Sequence, residues 1–160
     1  CLRDVRRTLR TLLGERNEMV MDIRGRIKTK ESLREKIIRN RFYIEYDKAS
    51  DILAHLSDLI GVIIECRFIH EEFVLLQLLR DTMSVQDEKG LYHHPDHPSL
   101  RFDIQSKQPQ IQKNGFSIYR VDGCYLRDGV RINVELQINP QEISVVTSLV
   151  RGIIRKIYVT

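Results

Sequence analysis

Between Val130 and Ile138 the chain alternates: Val134, Leu136 and Ile138 fall on one side of an extended strand, and Asn133, Glu135 and Gln137 fall on the other. Strand side chains point to opposite faces with a period of two, so this stretch belongs to a sheet buried on one face and open to water on the other. Pro140 ends it. A second alternating stretch, Val20 to Lys28, sets Met21, Ile23, Gly25 and Ile27 against Asp22, Arg24, Arg26 and Lys28. Its polar face becomes basic toward its end. The β-branched run Gly61 to Ile69 reads as a buried strand with Asp58 at its entrance. Phe116 to Asp122 reads as a further strand, joined to Val130–Ile138 around Asp122-Gly123 and Asp128-Gly129 in an antiparallel hairpin.

Helical periodicity separates these runs. Leu2, Val5, Leu9, Leu12 and Leu13 recur at spacings of three and four, which predicts an amphipathic helix. Ser32 followed by Glu35 has the spacing of a capping box, which places a helix start before Leu33 to Arg39. Asp51 to Leu59, Glu71 to Met83 and Glu142 to Tyr158 are three further helical stretches. From Ser84 to Gln112 the chain is polar and carries Pro95, Pro98 and Pro109, so it reads as loop with one short strand candidate, Leu100 to Ile104. Strands and helices mixed in this way, with no repeat and no linker, predict a single α+β domain over residues 1–160.

With 160 residues, 42% hydrophobic and 30% charged, the chain can bury a core, and its composition excludes disordered, collagenous and disulfide-scaffold classes. No apolar run approaches the roughly 18–20 residues of a membrane span, and Cys1 to Arg16 is too charged for a signal-peptide core. A cytoplasmic protein with no membrane partner is the expectation. Cys1, Cys66 and Cys124 have no CxxC spacing, and Cys66 and Cys124 read as small buried side chains.

The charge is uneven. Residues 1–41 hold 13 of the 26 Lys and Arg against 6 of the 22 Asp and Glu, a local excess of +7. Such a segment is either a solvated helix face or an attractor of phosphate-bearing partners. Within it Arg26, Lys28, Ser32 and Lys36 span a strand end, a turn and a helix start, where cations and helix N–H groups can converge on a polyphosphate. An exposed basic helix is the alternative. Asp58 and Glu135 stand on separate strands; if they meet, the two carboxylates can hold a magnesium ion, and one can accept a proton from a hydroxyl. An end cap and an exposed strand position are the alternatives. Phe116, after the Asn114-Gly115 turn and near Lys113, is either a stacking platform for a base or a core residue.

In order along the chain, GRIKTKESLREKIIRN, LSDLIGVIIECRF, KNGFSIYRVDG and VELQI resemble the motif blocks of the RelA/SpoT-like nucleotidyltransferase family, the (p)ppGpp synthetases, over roughly residues 20–140. The resemblance implies an α+β fold with a mixed five-stranded sheet flanked by helices. It implies a GTP pyrophosphokinase that uses magnesium to transfer the terminal pyrophosphate of ATP to the 3′-hydroxyl of GDP or GTP. By the same resemblance Arg26, Lys28, Ser32 and Lys36 bind ATP; Asp58 and Glu135 are catalytic and hold the metal; Lys113, Phe116, Tyr119 and Gln137 bind the acceptor nucleotide.

The chain departs from the family pattern in four places. Ile63 stands where an Arg is usual, Phe116 replaces a Tyr, Tyr119 lies near the usual His, and Asn139 replaces the Arg after ExQI. Two other readings stay open: a nucleotide-binding regulatory module with impaired turnover, and a toxin-like relative that pyrophosphorylates the tRNA 3′ end. Partners on these readings are ATP with GDP, GTP or tRNA, and a homo-oligomer is left open. His93, His94, Asp96 and His97 form the one His-rich cluster, which reads as an exposed loop rather than a metal site.

Overall fold

The 3–4 spacing at the start of the chain forms helix α1 (Leu2–Leu13), with Val5, Leu9, Leu12 and Leu13 buried. The computed structural model describes residues 1–45, 48, 52, 55–56, 59–141 and 153. Strand β1 (Val20–Ile27) follows, then helix α2 (Lys30–Arg39) and the short helix α3 (Phe42–Glu45). Strand β2 (Ile60–Cys66) leads into helix α4 (Ile69–Thr82). The remaining strands are β3 (Val85–Gln86), β4 (Tyr92–His94), β5 (His97–Phe102), β6 (Gln110–Ile111), β7 (Ser117–Arg127) and β8 (Val130–Pro140).

The strands form one mixed sheet in the order β1-β2-β8-β7-β5-β4-β3, with β6 alongside β7. The β2–β8 pairing is parallel and the others are antiparallel. Helices α1 and α4 pack on one face. Val62, Ile64, Val134, Leu136 and Ile138 meet Leu9, Leu75, Leu76 and Leu79 there, all at most 1% exposed. Each such side chain removed from water contributes about 1.5–3 kcal/mol, so this layer carries the stability of the domain. The other face of β1, β2, β8 and β7 is polar. Among the described residues, no helix is long and apolar enough to cross a membrane.

The sheet has eight strands rather than the expected five. Strands β3, β4 and β6 are two or three residues long, too short to show a period, and they lie in the Pro-containing segment expected to be loop. The His-rich cluster is likewise a hairpin, in which His94 pairs with His97. β2 stops at Cys66, earlier than the apolar run suggests, because Phe68 takes the extended position before α4 and Ile69 opens the helix. Helix α2 begins one turn before the expected cap: Thr29 accepts from the Ser32 backbone N–H at 3.2 Å, leaving Ser32 inside the first turn. Cys66 and Cys124 are buried and free, as expected. The expected helices Asp51–Leu59 and Glu142–Tyr158 lie outside the described residues, apart from Ile52, His55, Leu56, Leu59 and Ile153.

Candidate active site

The polar face is ordered by strand register. Arg26, Gly61, Glu135 and Asp122 form one row across β1, β2, β8 and β7. Arg24, Ile63, Gln137 and Arg120 form the next. These rows alternate with core-facing residues, so the pattern that buries Val62, Val134 and Leu136 also sends Glu135 and Gln137 to the open side. An open cleft of about 450 Å3 lies over the two rows, lined by Arg24, Arg26, Gly61, Ile63, Glu135 and Gln137 among others.

Gly61 makes room in the cleft floor. A Cβ at this position would stand 3.7 Å from the Arg26 side chain, filling the space between Arg26 and Glu135. Gln137 Nε2 donates to Glu135 Oε1 at 2.8 Å, which fixes the carboxylate along its strand. On the same face Asn133 Nδ2 donates to the Leu56 carbonyl at 3.0 Å, and the Lys28 backbone N–H donates to the Leu59 carbonyl at 2.8 Å. These bonds tie Leu56 and Leu59 to β8 and to the end of β1. Asp58 itself lies outside the described residues.

Of the residues expected to act together, the cleft gathers Arg26, Glu135 and Gln137. Lys28 follows β1, and Ser32 and Lys36 sit on α2; none of the three lines the cleft. Lys113 and Phe116 occupy the tip of the β6–β7 hairpin, where Asn114 Oδ1 accepts from the Phe116 backbone N–H at 3.0 Å and Gly115 takes a φ of 85°. Phe116 is 71% exposed and is not a core residue. Tyr119 does not join the cleft. It pairs with Ile138 and packs against the core on the helix side of the sheet, because β7 alternates faces from Ser117 onward. There burial, and then the charge of Glu72, hold its phenol above its usual range.

Asp122 is the residue that sequence reasoning missed. It faces Glu135 directly across the β7–β8 ladder, and partial desolvation, followed by the Glu135 charge, holds its carboxyl above its ordinary value. Asp122-Gly123 reads as a turn in sequence, but the turn is Asp128-Gly129 alone, with φ of 51° and 77°. Both values are positive, as a two-residue type I′ hairpin requires. Gly123 serves a different need: a Cβ there would collide with the Arg101 carbonyl and Phe102 of β5. Counting back from Asp128-Gly129 is the signal that would have placed Asp122 opposite Glu135.

No protein-family model matches the chain, and no curated protein matches it in sequence. Solved structures do. Small alarmone synthetase 1 from Bacillus subtilis bound to its product pppGpp superposes with a TM-score of 0.61 at 16% identity, covering 97% of this chain and 75% of that one. This chain has the fold of the small alarmone synthetases. Small alarmone synthetase 2 from Bacillus subtilis matches with a TM-score of 0.61 at 20% identity, over 99% of this chain and 77% of that one. A GTP pyrophosphokinase family protein from Streptococcus pneumoniae matches at 0.62 and 17% identity, over 97% and 71%. The alarmone-synthetase fold is thus the one that the four motif blocks led us to expect.

Proposed function

We propose that this protein is a (p)ppGpp synthetase, transferring the terminal pyrophosphate of ATP to the 3′-hydroxyl of GDP or GTP. The observation that carries this reading is the row Arg26–Gly61–Glu135, a cation and a carboxylate facing one another across a glycine floor in a fold shared with such enzymes. Phosphoryl-type transfer is mostly positioning and charge stabilisation, which a cleft of this kind can supply.

Arg26 and Lys28, with the N-terminus of α2 and its Ser32 and Lys36, would hold the ATP phosphates by charge-assisted hydrogen bonds. Phe116 would stack on the acceptor base, with Lys113 beside the acceptor phosphates. Glu135, held by Gln137, would accept the proton as the 3′-oxygen bonds to the β-phosphorus and AMP departs.

Glu135 and Asp58 would hold a magnesium ion. Among the described residues there is no group of three His, Cys, Asp or Glu able to hold a metal. One or two carboxylates completed by substrate phosphates is a donor set that suits a hard, oxygen-seeking ion. Bound there, the ion would neutralise phosphate charge.

The test is to incubate the purified protein with γ-labelled ATP, magnesium and either GDP, GTP or tRNA, and to resolve the products. Label appearing in guanosine tetraphosphate or pentaphosphate supports the proposal. Label on tRNA alone would point to the toxin-like reading, and no transfer with intact nucleotide binding would point to a regulatory module.

A further inference from the structure

Two positions at which the motif resemblance leads one to expect an arginine carry none: Ile63 and Asn139. Register puts Ile63 directly beside Arg24 of β1, and an ion pair joins Arg24 to the strand neighbour of Asn139. Ile63 is the cross-strand partner of Arg24 on one side and of Gln137 on the other. Asn139 is the partner of Glu65, and Glu65 Oε2 pairs with Arg24 Nη2 at 3.0 Å. Directly opposed side chains in a sheet start about 4.5–5.5 Å apart at Cβ, so an arginine at position 24 reaches over its partner on β2.

We propose that Arg24 is a phosphate-binding residue of this cleft, delivering from β1 the cation that positions 63 and 139 lack. Three observations carry it. Arg24 lines the same cleft as Arg26, Glu135 and Gln137. Its side chain is 52% exposed, so its charge is open to a ligand, whereas its partner Glu65 is only 15% exposed and acts as an anchor. The ion pair engages Nη2, and a guanidinium carries five N–H donors in a rigid fork, so an anchored arginine can still present donors to a phosphate. This inference rests on reading the cleft as the donor-nucleotide site.

Calorimetric titration of magnesium-ATP into wild type and four variants tests it. Arg24→Ala should weaken ATP binding at least tenfold with little change in melting temperature. Moving the charge back, in Arg24→Ala with Ile63→Arg, should recover most of the loss. Arg24→Ala with Glu65→Gln should stay weak, because the lost interaction is with the ligand. Recovery in that last variant would mean that the stranded Glu65 carboxylate caused the defect, which overturns the proposal. If Arg26→Ala weakens binding but Arg24→Ala does not, Arg24 is only a partner of Glu65 while the reading of the cleft survives. If wild type binds no ATP, the reading of the cleft falls and the role of Arg24 falls with it.

Discussion

Asp122 and Glu135 face each other across the β7–β8 ladder, two carboxylates side by side on the open face of the sheet. Partial burial, and then the like charge of Glu135 opposite, make Asp122 hold its proton to higher pH than an ordinary aspartate. A group whose folded pKa is raised contributes stability that is complete below its unfolded value of about 3.8 and is lost as pH rises through the folded value. Asp122→Asn should therefore melt with wild type near pH 3 and above it at pH 7. Thermal melts across that range check this; a constant offset at every pH would contradict it.

Glu72 provides a second pH dependence, on the helix side of the sheet. It is 8% exposed, and burial pushes its carboxyl up from 4.5 to about 7. Its neutral form belongs to the fold, so the stability it contributes is full below about 4.5 and is lost as pH rises through about 7. The shift corresponds to about 3 kcal/mol at most. Glu72→Gln should thus gain on wild type between pH 4.5 and 7.5, by several degrees at the upper end. Calorimetric scans that run parallel over this range would exclude it.

Gly61 gives a steric test of the cleft. Its backbone needs no positive φ, and its Cβ position is in ordinary contact with Arg26, so a side chain there meets ligand space rather than backbone. Gly61→Val should fold with unchanged or slightly raised melting temperature, since β-branched residues favour strands, and should lose nucleotide binding at least tenfold. Retained binding would move the nucleotide site elsewhere.

Phe116 sits at an exposed hairpin tip, so its removal costs the fold little. Phe116→Ala should change stability by no more than about 0.5 kcal/mol and weaken the acceptor by roughly 1–3 kcal/mol, leaving ATP affinity nearly intact. Phe116→Tyr should bind the acceptor as wild type does. Parallel titrations with GDP and ATP read the two effects separately, and an equal loss of both would contradict the assignment.

Much of this arrangement was written in local pattern. The alternation at Val134–Ile138 gave both the buried face and the exposed Glu135 and Gln137, because one period of two determines both. What a local reading cannot supply is a register between distant strands. Arg24 became a neighbour of Ile63, and Asp122 of Glu135, only through pairings set by the β1–β2 ladder and the Asp128-Gly129 turn. Glycine was ambiguous for the same reason. Gly123 resembles a turn residue in sequence, yet it is required by the close approach of β5, a long-range contact. Tyr119 was assigned by resemblance alone, and the face it takes follows from its pairing with Ile138, which only the β7–β8 register supplies.

The most direct test of the central claim is a single-turnover assay with γ-labelled ATP, magnesium and GDP, comparing wild type with Glu135→Gln. The substitution keeps the size of the side chain and its place beside Gln137, and removes the ability to take a proton. The account predicts that wild type forms guanosine tetraphosphate, and that the variant, saturated with magnesium and both nucleotides, forms product at least a hundredfold more slowly. A variant that turns over at the wild-type rate would contradict the role of Glu135, and a wild type that transfers no label to GDP or GTP would contradict the proposed activity.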